Sequence, residues 1–179
     1  PVDRAAAARL AGELRRQGVE SVAVCLLHSY ANGANELEVQ AALEGFFVSL
    51  SHQVLPEYRE YERASTTLVN AYVTPLMARY LGRLAESLDA TPLRIMQSNG
   101  GSISAAMAAR SAIHTIQSGP AGGVLGAAAV ARHAGFDRVI GFDMGGTSTD
   151  VSLYDGRFSF TQESEVGDFP VRVPMLDIH

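Results

Sequence analysis

Apolar and polar positions alternate along this chain with two different periods, and the change from one to the other divides it. Asp3 is placed to cap a helix running to about Gln17, with Gly18 to stop it. "SVAVCLL" (21–27) is a short apolar run that predicts a strand buried on both faces, as in a parallel sheet. "HSYANGAN" predicts a loop by its Asn and Gly content. Leu37, Val39, Ala42, Leu43 and Phe46 then fall roughly at helical spacing, which predicts a helix from Asn35 to about Leu50. "HQVLP" reads as a short strand, Glu62 to Leu88 as a long helix bent near Pro75, and "LRIMQS" as another buried strand before the turn "NGG". Helix and strand in alternation predict an α/β fold.

After His133 the period shortens to that of strands. "RVIGFD", "TSTDVSLYD", "RFSFTQE" and "PVRVP" read as successive strands, and Asp155-Gly156 is a hairpin signal between two of them. Between the two regimes lies "IQSGPAGGVLGAAAVARHAG", where Pro120 suits the start of a helix whose first turns carry almost no side-chain bulk. Such a helix is able to cross a second helix, or a nucleotide, at very short distance. Ala121, Gly122, Gly123, Gly126, Ala127, Ala128 and Ala129 supply the small positions, with Gly122 and Gly123 as candidate cofactor contacts. A tightly packed core helix is the alternative, and the two are compatible.

The bulk numbers narrow the chemistry. Of the 179 residues, 47% are apolar and 18% charged, enough to bury a core. A net charge of −5 argues against a general nucleic-acid binder. The single cysteine, Cys25, lies in an apolar run, which excludes a disulfide framework and fits a reducing cytoplasm. No apolar run is long enough for a membrane span, and no signal peptide is visible. The first residue is Pro1 and not Met, so the expectation is a piece of a longer chain. The histidines at 28, 52, 114, 133 and 179 lack metal-ligand spacing. "SGP" at 118–120 is not a nucleophile elbow, which disfavours a serine hydrolase.

The most informative stretch is "GFDMGGTSTDVSLYDG" (141–156). Gly145 and Gly146 bring bare backbone to a bend, where N–H groups are able to approach a phosphate and positive φ is open to them. Thr147, Ser148 and Thr149 add hydroxyls. Asp143 would repel a phosphate unless a cation lies between them, and carboxylate with phosphate is a usual way to hold Mg²⁺. The combination suggests a metal–nucleotide site; a plain hairpin turn is the alternative. It is neither a P-loop nor a G-x-G-x-x-G turn into a helix, since the residues after Gly146 continue as a strand. Two further stretches are candidates for ligand contact: Glu60, Glu62 and Arg63 in "EYREYERASTT", where a solvated helix start is the simpler reading, and "QSNGG" (97–101) at a strand end.

A small-residue helix leading into "VIGFDMGGTSTDVSL" resembles the actin, heat-shock chaperone and sugar kinase superfamily. More narrowly, "LLHSYANGANE", "LPEYREYERASTTLVNAYVTPLMARYL", "MQSNGG", "IQSGPAGGVLGA" and "GFDMGGTSTDVSL" resemble the hydantoinase A/5-oxoprolinase family. The resemblance implies an actin-like ATPase fold in part. Residues 1–115 would be the later part of a first lobe, 116–135 a connector helix, and 136–179 the start of a second lobe with a phosphate-binding β-hairpin. It implies ATP and Mg²⁺ as cofactors, and a cyclic-amide or ketone substrate whose oxygen is phosphorylated before hydrolysis or carboxylation. It also implies a hydantoinase B-type partner subunit. Carried onto this chain, Asp143 would organise Mg²⁺ through water. Gly145, Gly146, Thr147 and Ser148 would hold phosphates, and Thr149 and Asp150 would support the loop or the attacking group. Asp143 and Asp150 are thus the candidate catalytic residues. The alternatives are a ketone carboxylase subunit of the same family and a non-enzymatic nucleotide switch. A first phosphate loop and an adenosine-binding segment are missing from these 179 residues, so the chain alone is expected not to turn over ATP.

Overall fold

A computed structural model describes residues 2–88 and 92–179. Helix α1 (Arg4–Arg16) begins where the sequence places it, with the Asp3 carboxylate accepting from the amides of Ala5 and Ala6, both at 3.0 Å. Gly18 ends it at φ 73°, a left-handed conformation in which a side chain would be strained. Strand β1 (Ser21–Val24) pairs in parallel with β2 (Phe47–Leu50), from Ser21 opposite Phe47 to Val24 opposite Leu50. β1 is shorter and less covered than expected: only Val24 is buried. Between them α2 spans Ala34–Ala42. The helix predicted to reach Leu50 therefore stops early. Gly45 turns the chain at φ 90°, and the β-prone "FVSL" behind it joins the sheet. Leu43 keeps its apolar role, closing a core with Ala11, Val24 and Leu50.

"HQVLP" is a second correction. Residues 51–54 form one helical turn, α3 (Ser51–Val54), and not a strand. The cause is a buried acid. Glu36 has no exposed surface, and its carboxylate accepts from Ser51 Oγ (2.6 Å), His52 N (3.0 Å) and Leu26 N (2.9 Å), with His52 Nδ1 at 2.7 Å. An anion at the first turn satisfies amides that a helix leaves unpaired and matches its dipole. Burial alone would raise the Glu36 pKa. The hydrogen bonds from Ser51, His52 and Leu26 outweigh it and hold the group at about 2.

Helix α4 (Glu60–Ser87) is 28 residues long and continuous through Pro75. Proline has no N–H to give to the carbonyl four residues back. That carbonyl, on Ala71, accepts instead from Ser21 Oγ at 2.7 Å, so β1 repairs the defect. The buried side of α4 is unusually polar, with Arg63, Thr66, Thr67, Asn70 and Thr74 all covered. Each finds partners: Asn70 donates to Ser49 Oγ (2.8 Å) and accepts from Ile113 N (3.0 Å). Arg63 donates to the carbonyls of Glu57 (2.7 Å) and Leu26 (3.0 Å) and stacks over Tyr30.

β3 (Arg94–Met96) and β4 (Ser102–Ser104) form an antiparallel hairpin around the "NGG" turn, with Gly100 at φ 81°. β3 is partly exposed and not the buried strand expected. After α5 (Ala105–Ala108) and a short 3₁₀ turn, α6 spans Ser118–His133. Pro120 is its third residue, and Gln117 enters it in the left-handed region at φ 58°.

β5 (Val139–Met144) and β6 (Thr149–Tyr154) form the longest antiparallel pair among the described residues. Asp155-Gly156 does not close a hairpin. The strand that follows, β7 (Phe160–Thr161), pairs with β10 (Met175–Leu176) and not with β6. Phe158 stacks on Tyr154 at 5.0 Å and packs with Leu176 against Ala121 and Val124, which draws the chain across α6. A hairpin does form at Gly167, between β8 (Ser164–Val166) and β9 (Phe169–Val171). Val171, Val173 and Met175 then return to bury against Val54, Val69 and Ile113. Arg172 binds this return to α4, its Nε 2.7 Å from Glu57 Oε2 and its amide 3.0 Å from Thr66 Oγ1. Among the described residues no helix is long and apolar enough to cross a membrane.

Candidate functional site

The β5–β6 pair presents two faces. In register, Asp143 lies opposite Asp150 and Gly141 opposite Ser152. These four line a cleft of about 200 Å³ whose other wall is Pro120, Gly123, Val124 and Ala127 of α6, with Ile178 at its side. A Cβ on Gly123 would stand 3.8 Å from Asp143 Oδ2, an ordinary van der Waals contact. A larger side chain would fill the space above the carboxylate. The opposite face of the hairpin carries Ile140, Phe142, Met144 and Leu153, all largely exposed.

Two carboxylates directly opposite on adjacent strands repel one another and weaken the pair. The arrangement is stable in charge terms when a cation sits between them, and oxygen ligands of this kind suit a hard divalent ion such as Mg²⁺. Among the described residues no group of three or more His, Cys, Asp or Glu side chains is gathered to hold a metal. The ligands of such an ion would be largely water and phosphate, with the carboxylates behind the water, as Mg²⁺ commonly arranges.

The bend at 145–148 is open to solvent. Gly145 N donates to Ser148 O at 3.0 Å and closes the turn. Gly145, Gly146, Thr147, Ser148 and Thr149 are all exposed and stand beyond the residues that line the cleft. Neither glycine takes the positive φ that is open to it. A Cβ on Gly146 would meet nothing within 4 Å, and one on Gly145 only Ser148 O at 3.8 Å. Packing and backbone geometry within this chain therefore do not account for the pair. Bare backbone with open space in front of it fits a group approaching from outside. Gly122 also meets nothing within 4 Å and does not line the cleft, unlike Gly123.

Comparison with known proteins places these features. Residues 63–179 match the hydantoinase/oxoprolinase family model, and residues 1–46 match the model of the hydantoinase/oxoprolinase N-terminal region. The chain belongs to the hydantoinase/oxoprolinase family. It is 40% identical to caprolactamase subunit alpha of Pseudomonas jessenii, over 99% of this chain and 27% of that one. It is 39% identical to 5-oxoprolinase of Saccharomyces cerevisiae, over 93% of this chain and 13% of that one. The ATP-dependent caprolactamase of P. jessenii superposes on it with a TM-score of 0.86 at 36% identity, and a nucleotide-free acetone carboxylase with 0.85 at 26%. Both superpositions take in 100% of this chain and 27% of the larger one. The chain thus spans about a quarter of the caprolactamase and acetone carboxylase chains and 13% of the 5-oxoprolinase, and it shares an α/β fold with the two superposed structures.

Within the family's sequence signature, the structure sorts the candidates. Asp143, Asp150 and Gly123 meet at one cleft; the bend from Gly145 to Thr149 projects at its rim. Arg63 is fully buried and engaged with backbone carbonyls, so it is structural. Glu62 pairs with Arg59 at 2.5 Å, and Glu60 is exposed. Sequence reading missed Gly141 and Ser152, the rung beneath the two acids. Their signal was present as the alternation of "GFD" against "DVS", which puts Gly141 and Asp143, and Asp150 and Ser152, on the same face.

Proposed function

We propose that this chain is part of an ATP-dependent enzyme that hydrolyses a cyclic amide, and that the cleft between α6 and the β5–β6 hairpin is where the phosphates of MgATP lie. The observation that carries the reading is the Asp143–Asp150 pair facing the small-residue wall of α6. In this reading Asp143 holds Mg²⁺ through water, and Asp150 holds the hydrated ion or the attacking group from the opposite strand. Gly145, Gly146, Thr147 and Ser148 offer amides and hydroxyls to the phosphates, and Thr149, opposite Met144 on the face away from the cleft, supports the loop. Gly123 leaves room for them, and Gly122 widens the approach along the helix. The first turn of α6 supports the same site, since the N-terminal end of a helix carries partial positive charge and favours an anion. When bound, MgATP would supply the phosphoryl group that activates a carbonyl oxygen. The residues named here bind, orient and neutralise charge.

The fold of this reading is an actin-like ATPase, with residues 1–115 and 136–179 on either side of the connector at 116–135. The enzyme would work in a reducing cytoplasm with a hydantoinase B-type subunit beside it. A second reading, carboxylation of a ketone, draws on the superposition with acetone carboxylase. The higher identity to caprolactamase favours hydrolysis. The test uses the full-length protein. ATP hydrolysis should depend on an added cyclic amide, and Asp143→Ala should lower kcat by about a hundredfold or more. Turnover that is indifferent to Asp143 would remove the site from the mechanism.

A further inference from the structure

Ser152 is 8% exposed, and its side chain looks into the cleft one rung below the two carboxylates. None of the side-chain hydrogen bonds among the described residues engages its hydroxyl. Its partner across the strands is Gly141, and a Cβ there would come within 2.5 Å of Ser152 Oγ. Gly141 has no positive φ to explain the glycine. The Ser152 hydroxyl lies over the space that a side chain at 141 would occupy. The cleft floor therefore holds a hydroxyl without a protein partner, open to the cleft and able to meet water or a ligand there.

We infer that Ser152 is a positioning residue for the hydrated cation between Asp143 and Asp150, engaging one of its water ligands through the hydroxyl. The inference rests on the function proposed above. Successive residues on one strand face are separated by about 6.7 Å along the strand. One rung is too long for direct ligation, which leaves the ion's water shell as the link. Gly141 acts through Ser152, by leaving its hydroxyl in that orientation.

Mn²⁺, which takes the place of Mg²⁺ and is visible by EPR, tests this directly when titrated into the full-length protein in the presence of ATP. The wild type should bind the ion and Asp143→Asn should lose it. Ser152→Ala should weaken binding about tenfold, the usual scale for a group behind the direct ligands, while Ser152→Thr, which keeps the hydroxyl, should stay near wild type. Gly141→Ala should copy Ser152→Ala, because the new methyl forces the hydroxyl into another rotamer without removing it. Thermal melts verify that each variant is folded. If Ser152→Ala and Gly141→Ala bind as wild type does while Asp143→Asn does not, the role given to Ser152 is wrong and the site stands. If the wild type takes up no ion, or Asp143→Asn binds normally, the proposed function fails and the inference with it.

Discussion

A single buried carboxylate organises one end of the molecule. Glu36 joins the end of β1, through Leu26 N, to the first turn of α3, through Ser51 and His52. Its pKa falls from the ordinary 4.5 to about 2 on folding. A group whose pKa is depressed in the folded state contributes stability above its unfolded pKa and loses it as the pH falls through the folded one. That contribution is on the order of 3 kcal/mol. Urea unfolding should show stability declining between about pH 4.5 and 2, and Glu36→Gln should flatten the decline. Sequence reading did not single out Glu36, because a glutamate in a helix is ordinarily a solvated one. Its partners come from segments 10 to 16 residues away, and only the fold brings them together. Asp143 and Asp150 were legible for the opposite reason. Their neighbours in sequence, two glycines and three hydroxyls, already state the chemistry.

At the scale of elements, the strongest periodic segments formed where expected and the connections did not. α1, α4 and the β5–β6 hairpin agree with their patterns because each carries its own punctuation: Asp3 and Gly18, a long run of helix formers, and a glycine bend between two β-rich runs. The segment from 43 to 56 misled because apolar spacing persisted after the helix ended. Leu43 serves the same core from a loop. Pro75 leaves the helix continuous, and the carbonyl it frees is compensated from outside the helix by Ser21. Removing that hydroxyl should expose the defect. Ser21→Ala leaves the Ala71 carbonyl without its donor and should cost about 1–2 kcal/mol in chemical denaturation. The same substitution at Ser102, on the partly exposed β3–β4 hairpin, should cost much less.

For the molecule as a whole, the decisive contacts run between distant parts of the chain. Val171, Val173 and Met175 share a core with Val54, Val69 and Ile113, and no local pattern announces it. "PVRVP" reads as a strand, and its alternation says that one face is buried, but not against what. Met175 is 1% exposed, and truncating it to alanine should cost about 2–4 kcal/mol. A thermal melt should register that loss as fully as one at Val69, although Met175 lies near the end of the sequence. The exposed Ile140, Phe142, Met144 and Leu153 form an apolar sheet face of the kind that favours self-association when left uncovered.

The return of residues 171–175 onto α4 also sets an order of events at the ribosome. The core of Ala11, Val24, Leu43 and Leu50 draws on residues 11–50 alone and is free to close while synthesis continues. The other core waits for more than a hundred residues to emerge, leaving the apolar flank of α4 in water until its last strand arrives. A nascent chain stalled short of Val171 would therefore be a client for chaperones.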